Sequence, residues 1–96
     1  MTQTSPSFRV AALYRFATVS DPHALREHLE TLCGETVRGT LLVAPEGVNG
    51  TIAGPAEAVD RVLEDLRTIP GFANLDVKLS TASTMPFYRL KVRVKA

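Results

Sequence analysis

The sequence predicts an α+β sandwich in which an antiparallel sheet carries two helices on one face. Three observations carry that expectation. Apolar residues recur at every second position through Phe8, Val10, Ala12, Tyr14 and Phe16, which is the period of a strand. Two later segments place Leu25, Leu29 and Leu32, and then Val59, Val62, Leu63 and Leu66, at helical spacing. Short apolar runs bounded by Gly and Pro fill the remainder, so the order reads strand, helix, strand, strand, helix, strand.

Taken in order, Met1 to Ser7 is small and polar and is expected to be a disordered tail. The first strand, Phe8 to Phe16, has one face much more apolar than the other, because the alternate set is Arg9, Ala11, Leu13 and Arg15. Asp21 followed by Pro22 is an N-cap followed by a proline at the first helical position, and Gly34 suits the residue just past that helix. Val37 to Ala44 is the second strand, Pro45-Glu46-Gly47 the link of a hairpin, and Val48 to Ala53 the third strand. Pro55 starts a second helix, with Glu57 in its first turn, and Pro70-Gly71 stops it. Glu57 and Arg61 are spaced as a helical pair worth at best a few tenths of a kcal/mol, roughly. Asp76 to Leu79 is a fourth strand, and Tyr88 to Lys95 a fifth at the C-terminus, after a polar stretch from Ser80 to Pro86. This order is the ferredoxin-like split βαβ arrangement, which leaves the second face of the sheet open, either wet or covered by a partner. Fold alone does not say what binds there.

Composition narrows the function classes. Ninety-six residues suit one domain, here residues 8–96, and are too few for a separate cofactor domain. Eleven basic residues against ten acidic ones give +1, so no global field draws the chain to nucleic acid or membrane. Cys33 is the only cysteine, which excludes an internal disulfide and any CxxC redox or zinc pair. A cytoplasmic location follows as an expectation. There is no signal-like segment and no apolar run approaching the roughly twenty residues that span a bilayer. No cofactor, metal or membrane partner is expected for this chain.

Known uses of the fold can be tested against the residues. An RNA-recognition motif stacks bases on aromatic residues of its central strands, and Val48 to Ala53 contains none. A metal-carrying domain needs a cysteine pair in its first loop, absent from Ala17 to Pro22. An acylphosphatase has a first loop rich in glycine with an arginine, and the same segment has neither. A small-molecule-sensing regulatory domain stays open, since backbone contacts leave little trace in sequence. Cys33, beside Leu32 at the end of the first helix, reads as a packed apolar side chain. His23 and His28 are five apart, not the four that align metal ligands on a helix, and read as surface residues. No catalytic residue is assigned.

The C-terminal strand is the strongest local asymmetry. Leu90, Val92 and Val94 point to one side while Arg89, Lys91, Arg93 and Lys95 point to the other. That ridge could meet phosphates, or it could be an edge strand guarded by charge against aggregation. Tyr88 could stack a base, and Phe87 is expected to close the core. The chain stops at Ala96 on a strand that still alternates, so it is expected to be a piece of a longer protein.

The hairpin is the most distinctive motif. In Ala44-Pro45-Glu46-Gly47-Val48-Asn49-Gly50-Thr51, Pro45 fixes φ, Gly47 and Gly50 can take positive φ, and Glu46 and Asn49 either face outward or satisfy the turn's own backbone groups. Extended back to Gly39-Thr40-Leu41-Leu42-Val43, this run, with Pro86-Phe87-Tyr88-Arg89-Leu90-Lys91-Val92-Arg93 and Tyr14-Arg15-Phe16, resembles the N-terminal domain of the rhodanese-related tRNA uridine hydroxylase family, from about Phe8 to Lys95. The resemblance implies an acylphosphatase-like domain that precedes a rhodanese domain in a bacterial protein. The full-length members hydroxylate the wobble uridine of tRNA in an oxygen-dependent reaction. Their essential cysteine belongs to the rhodanese domain, so Cys33 does not inherit that role. Three roles follow as expectations: tRNA binding through Tyr88, Arg89, Lys91, Arg93 and Lys95, with the motif loop of Pro45, Glu46, Gly47, Asn49 and Gly50 facing either tRNA or the missing domain; scaffolding against the rhodanese domain in cis; or ligand sensing.

Overall fold

In the computed structural model, which describes residues 7–95, seven elements follow one another: β1 (Phe8–Phe16), α1 (Pro22–Cys33), β2 (Arg38–Ala44), β3 (Gly47–Gly54), α2 (Ala56–Arg67), β4 (Asp76–Ala82) and β5 (Leu90–Val94). The tail expected over Met1 to Ser7 lies outside the described residues except for Ser7. The strands form one sheet in the order β4-β1-β3-β2-β5. β1 pairs antiparallel with both β3 and β4, and β2 antiparallel with β3. The first four strands thus keep the ferredoxin-like order. β5 joins outside β2 in parallel, so the sheet is mixed and not purely antiparallel.

Local sequence accounts for the ends of the elements. The Asp21 carboxylate accepts from the Ala24 N–H at 3.1 Å, the capping bond that its position predicts. Gly34, at φ 55°, takes the conformation that closes α1 and donates its N–H to the Glu30 carbonyl. Pro55 is the N-cap of α2 and stands just outside it, with Glu57 in the first turn and Arg67 in the last, each placed favourably on the helix dipole. Gly47 already belongs to β3, so Pro45 and Glu46 alone make the hairpin loop. Glu57 and Arg61 form no ion pair among the described residues; the α2 acids that find partners are Asp60, with Arg9, and Asp65, with His28 of α1.

The core lies between the sheet and the two helices. Leu25, Leu29 and Cys33 from α1 and Val59, Val62, Leu63 and Leu66 from α2 pack on Ala11, Leu13, Leu41, Val43, Val48, Ile52 and Val92. Each large aliphatic buried there stabilises the fold by roughly 1.5–3 kcal/mol. Phe72, in the loop before β4, is fully buried and is among the largest side chains in the core. Phe87 is only partly buried and stands outside the core, contrary to expectation, lining a shallow recess with Thr40 of β2 and Lys91 of β5.

The face of β1 that the helices cover is the less apolar one. Ala11 and Leu13 are buried, and the flanking arginines send their heads out of the layer, Arg9 to Asp60 and Arg15 Nε to the Gly71 carbonyl at 2.9 Å. Tyr14 and Phe16 consequently lie on the open face, 50% and 76% exposed.

Candidate nucleic-acid interface

The strand registers place the functional candidates. Reading across the sheet, Arg93 of β5 neighbours Leu42 of β2, Leu42 pairs with Asn49 of β3, Asn49 with Tyr14 of β1, and Tyr14 with Asp76 of β4. The next row runs Lys91, Thr40, Thr51, Ala12 and Lys78. Strands lie about 4.8 Å apart, so each row crosses the sheet in about 20 Å. Lys91 and Arg93 are exposed on this open face, while Val92 between them is buried beneath α1 and Leu90 and Val94 are partly buried. Arg89 stands at the entrance to β5, where its carbonyl accepts from Gly39 N–H at 3.2 Å. Tyr88, beside it, is fully exposed.

Charge is partitioned between the two sides of the molecule. On the open face and its rim stand six cations, Arg38, Lys78, Arg89, Lys91, Arg93 and Lys95, against the carboxylates of Asp76 and Glu46 and, beside Arg38 and Arg89, those of Glu30 and Glu35. The rest of the molecule holds the other five cations and six carboxylates. The formal +1 of the chain therefore divides into +2 on one side and −1 on the other. A nearly neutral composition hid a bipolar molecule.

The hairpin is held in place by its neighbours. Ala17 N–H donates to the Glu46 carbonyl at 3.0 Å and Val19 N–H to the Pro45 carbonyl at 2.9 Å, tying the loop to the segment after β1. The Glu46 carboxylate, half exposed, meets Lys95 Nζ at 3.4 Å. One of the four ridge cations thus has an acidic partner that is distant in sequence. Gly47 and Gly50 take φ of 152° and 149°, and a Cβ at either would stand 2.1 Å from a backbone carbonyl of the next strand. Asn49 lies within β3 and is exposed on the open face, so it is not a turn residue.

An open recess of about 160 Å³ lies at this end of the face. Tyr14, Phe16, Leu42 and Ala44 supply its apolar surface, and Asn49, Glu46 and Lys95 its polar rim. Tyr14 and Phe16 meet edge to face with ring centroids 6.0 Å apart. Sequence reasoning sought aromatic residues on β3 and passed over those on β1, the other central strand; the alternation through Tyr14 and Phe16 was the signal. Arg38 and Lys78 were missed because they are isolated in sequence and join the ridge only across the sheet.

Among the described residues no group of three His, Cys, Asp or Glu side chains could hold a metal ion. Cys33, the last residue of α1, is buried in the core, and burial raises its thiol from 9.0 to about 11, which leaves it protonated and inert at neutral pH. His28 Nε2 lies 2.6 Å from Asp65 Oδ1 and links the two helices on the opposite side of the molecule. No helix among the described residues is long and apolar enough to cross a membrane.

Comparison with known proteins agrees with this architecture. The family model described as the UPF0176 acylphosphatase like domain matches residues 8–96. The chain is 50% identical over 98 residues to the tRNA uridine(34) hydroxylase of Mesorhizobium japonicum, covering 99% of this chain and 32% of that protein. It is 53% identical over 90 residues to the protein of the same name from Caulobacter vibrioides, covering 93% and 29%, and 54% identical over 94 residues to that of Agrobacterium fabrum, covering 97% and 30%. The chain spans about a third of the length of these relatives. Among solved structures it resembles BlrB, a BLUF protein in its dark state, with a TM-score of 0.66 at 18% identity over 92% of this chain and 70% of that one. It also resembles the acylphosphatase of Bacillus subtilis, with a TM-score of 0.51 at 12% identity over 94% and 98%. At these identities the two structures speak for the fold alone.

Proposed function

This chain belongs to the UPF0176 acylphosphatase-like domain family, and we propose that it is the accessory domain of a bacterial, cytoplasmic tRNA uridine hydroxylase, in which it holds the tRNA backbone. The observation that carries this reading is the charge partition, with Lys91 and Arg93 exposed side by side on a face that is +2 with its rim while the rest of the molecule is −1. Such a face attracts phosphate and orients the molecule as it approaches, without requiring a high overall charge. The chemistry is assigned to the remaining two thirds of the longer protein, a rhodanese-type domain in cis.

The test is a titration of the chain, and of the full-length parent, against unmodified tRNA at 50 and 200 mM salt. Four phosphate contacts weaken binding by about a hundredfold over that range. Lys91→Glu with Arg93→Glu is expected to weaken binding at low salt and to reduce the salt slope by about two. If that double substitution leaves tRNA affinity unchanged in both proteins, the reading is wrong and an interdomain scaffold takes its place.

A further inference from the structure

We infer that the recess between Tyr14, Phe16 and Asn49 is a stacking subsite for one unpaired nucleobase of a single-stranded RNA segment whose phosphates run along β5. The inference rests on the proposed RNA role and adds to it what a phosphate ridge alone does not supply, a contact to a base.

Four features of the recess carry it. The surface is aromatic and unsatisfied: Phe16 is 76% exposed and Tyr14 50%, and their edge-to-face arrangement turns part of each ring toward solvent. Two large exposed aromatics in contact are costly to leave wet, and a planar π-face is what they complement best. Second, the neighbouring group is a carboxamide. Asn49 is in register with Tyr14 and exposed on the same face, and its amide presents a donor and an acceptor side by side, the complement of most nucleobase edges. Third, the cations stand where the backbone of that nucleotide would lie. Arg93 is three strands from Tyr14 in the same row, about 14 Å between main chains at the usual strand spacing. Long side chains from both ends shorten that gap to the reach of one nucleotide. Lys95 closes the rim of the recess itself. Fourth, the acid on the rim of the recess, Glu46, is already engaged by Lys95, which leaves Asp76, in register with Tyr14, as the one exposed carboxylate in that row among the described residues. A neutral or basic polypeptide would match the apolar surface equally well but gain nothing from the run of cations beside it, and an acidic one would lack the planar base that the rings complement. Charge complementarity therefore selects RNA as the occupant.

The subsite is set on rigid elements. Tyr14 and Phe16 are strand residues paired on one side with Asn49 and Gly47, and the hairpin beside them is tied down by Ala17 and Val19. Base stacking adds to affinity with little dependence on salt, whereas the ridge depends on it strongly. The two contributions can be measured apart.

The experiment titrates the 96-residue chain with a fluorescein-labelled eight-nucleotide single-stranded RNA and with a blunt RNA duplex of the same sequence, for wild type, Phe16→Ala, Asn49→Ala and Lys91→Glu/Arg93→Glu. Removing one stacking aromatic is expected to weaken single-strand binding by about tenfold with the salt slope unchanged, and to leave duplex binding as it was. Photo-crosslinking of RNA containing 4-thiouridine should map to Tyr14 or Phe16 by mass spectrometry. If Phe16→Ala and Asn49→Ala leave single-strand affinity unchanged while the charge reversal lowers it, the base subsite is overturned and the phosphate reading stands. If wild type binds neither RNA, both fall. An equal loss for single strand and duplex, or crosslinks confined to β5, also overturns the subsite. Because Phe16 is exposed, its alanine variant is expected to keep the wild-type melting curve, so lost affinity would not report unfolding.

Discussion

Lys95 and Glu46, 49 residues apart in the chain, meet at 3.4 Å and join the end of the basic strand to the tip of the β2–β3 hairpin. Both are more than half exposed, so the pair adds at most about 1 kcal/mol to stability. Its greater effect is on the ridge, where it offsets one of four cations.

Glu46→Gln removes that offset and frees Lys95. The substitution is expected to strengthen tRNA binding by a few-fold at low salt, to increase the salt slope by about one, and to leave the urea midpoint nearly unchanged. Titrations at several salt concentrations check the first two effects and a denaturation curve the third. Weaker binding by Glu46→Gln would mean that the carboxylate itself contacts the RNA.

Gly50 marks a close approach between strands. With φ of 149° and a carbonyl 2.1 Å from any added Cβ, Gly50→Ala forces β2 and β3 apart or strains the backbone. A loss of at least about 3 kcal/mol is expected by urea denaturation, because a clash with main chain cannot be relieved by turning a side chain. A loss under about 1 kcal/mol would show that the ladder yields locally.

Two phenylalanines should separate stability from surface function. Phe72 is fully buried and its truncation to alanine is expected to cost about 3–5 kcal/mol. Phe16→Ala, on the open face, should fall within about 0.5 kcal/mol of wild type. Paired chemical denaturation of the two variants decides it.

Cys33 predicts a particular pH dependence. Its thiol is raised from 9.0 to about 11 by burial, so the native state holds its proton where the unfolded chain releases it. Stability is then fully present below pH 9 and falls as the pH rises toward 11, by up to about 3 kcal/mol. Cys33→Ala should lose this slope, as the difference between the two stability curves would show. The native thiol should also react with a disulfide reagent at pH 8 far more slowly than the unfolded one.

Much of this protein was legible locally. Asp21, Pro22 and Gly34 bound α1 because capping chemistry acts within one turn, and the periods of two and 3.6 mark the strands and helices whatever lies beyond them. The element order then restricts the topology to few arrangements, and the hairpin motif identifies the family. Other features depended on contacts distant in sequence. Alternation says that β1 has two faces but not which one the helices cover, and here the arginines at the strand's ends reach out of the layer so that Ala11 and Leu13 can be buried. The parallel pairing of β5 with β2, the meeting of Lys95 with Glu46, and the row from Tyr14 through Asn49 to Arg93 arise only when strands far apart in the chain fall into register. The hairpin from Ala44 to Gly54 identified the family from sequence alone. Only the tertiary structure set it beside two exposed aromatic rings and a basic edge, because a surface is made of neighbours in space, and the sheet orders its neighbours across the chain and not along it.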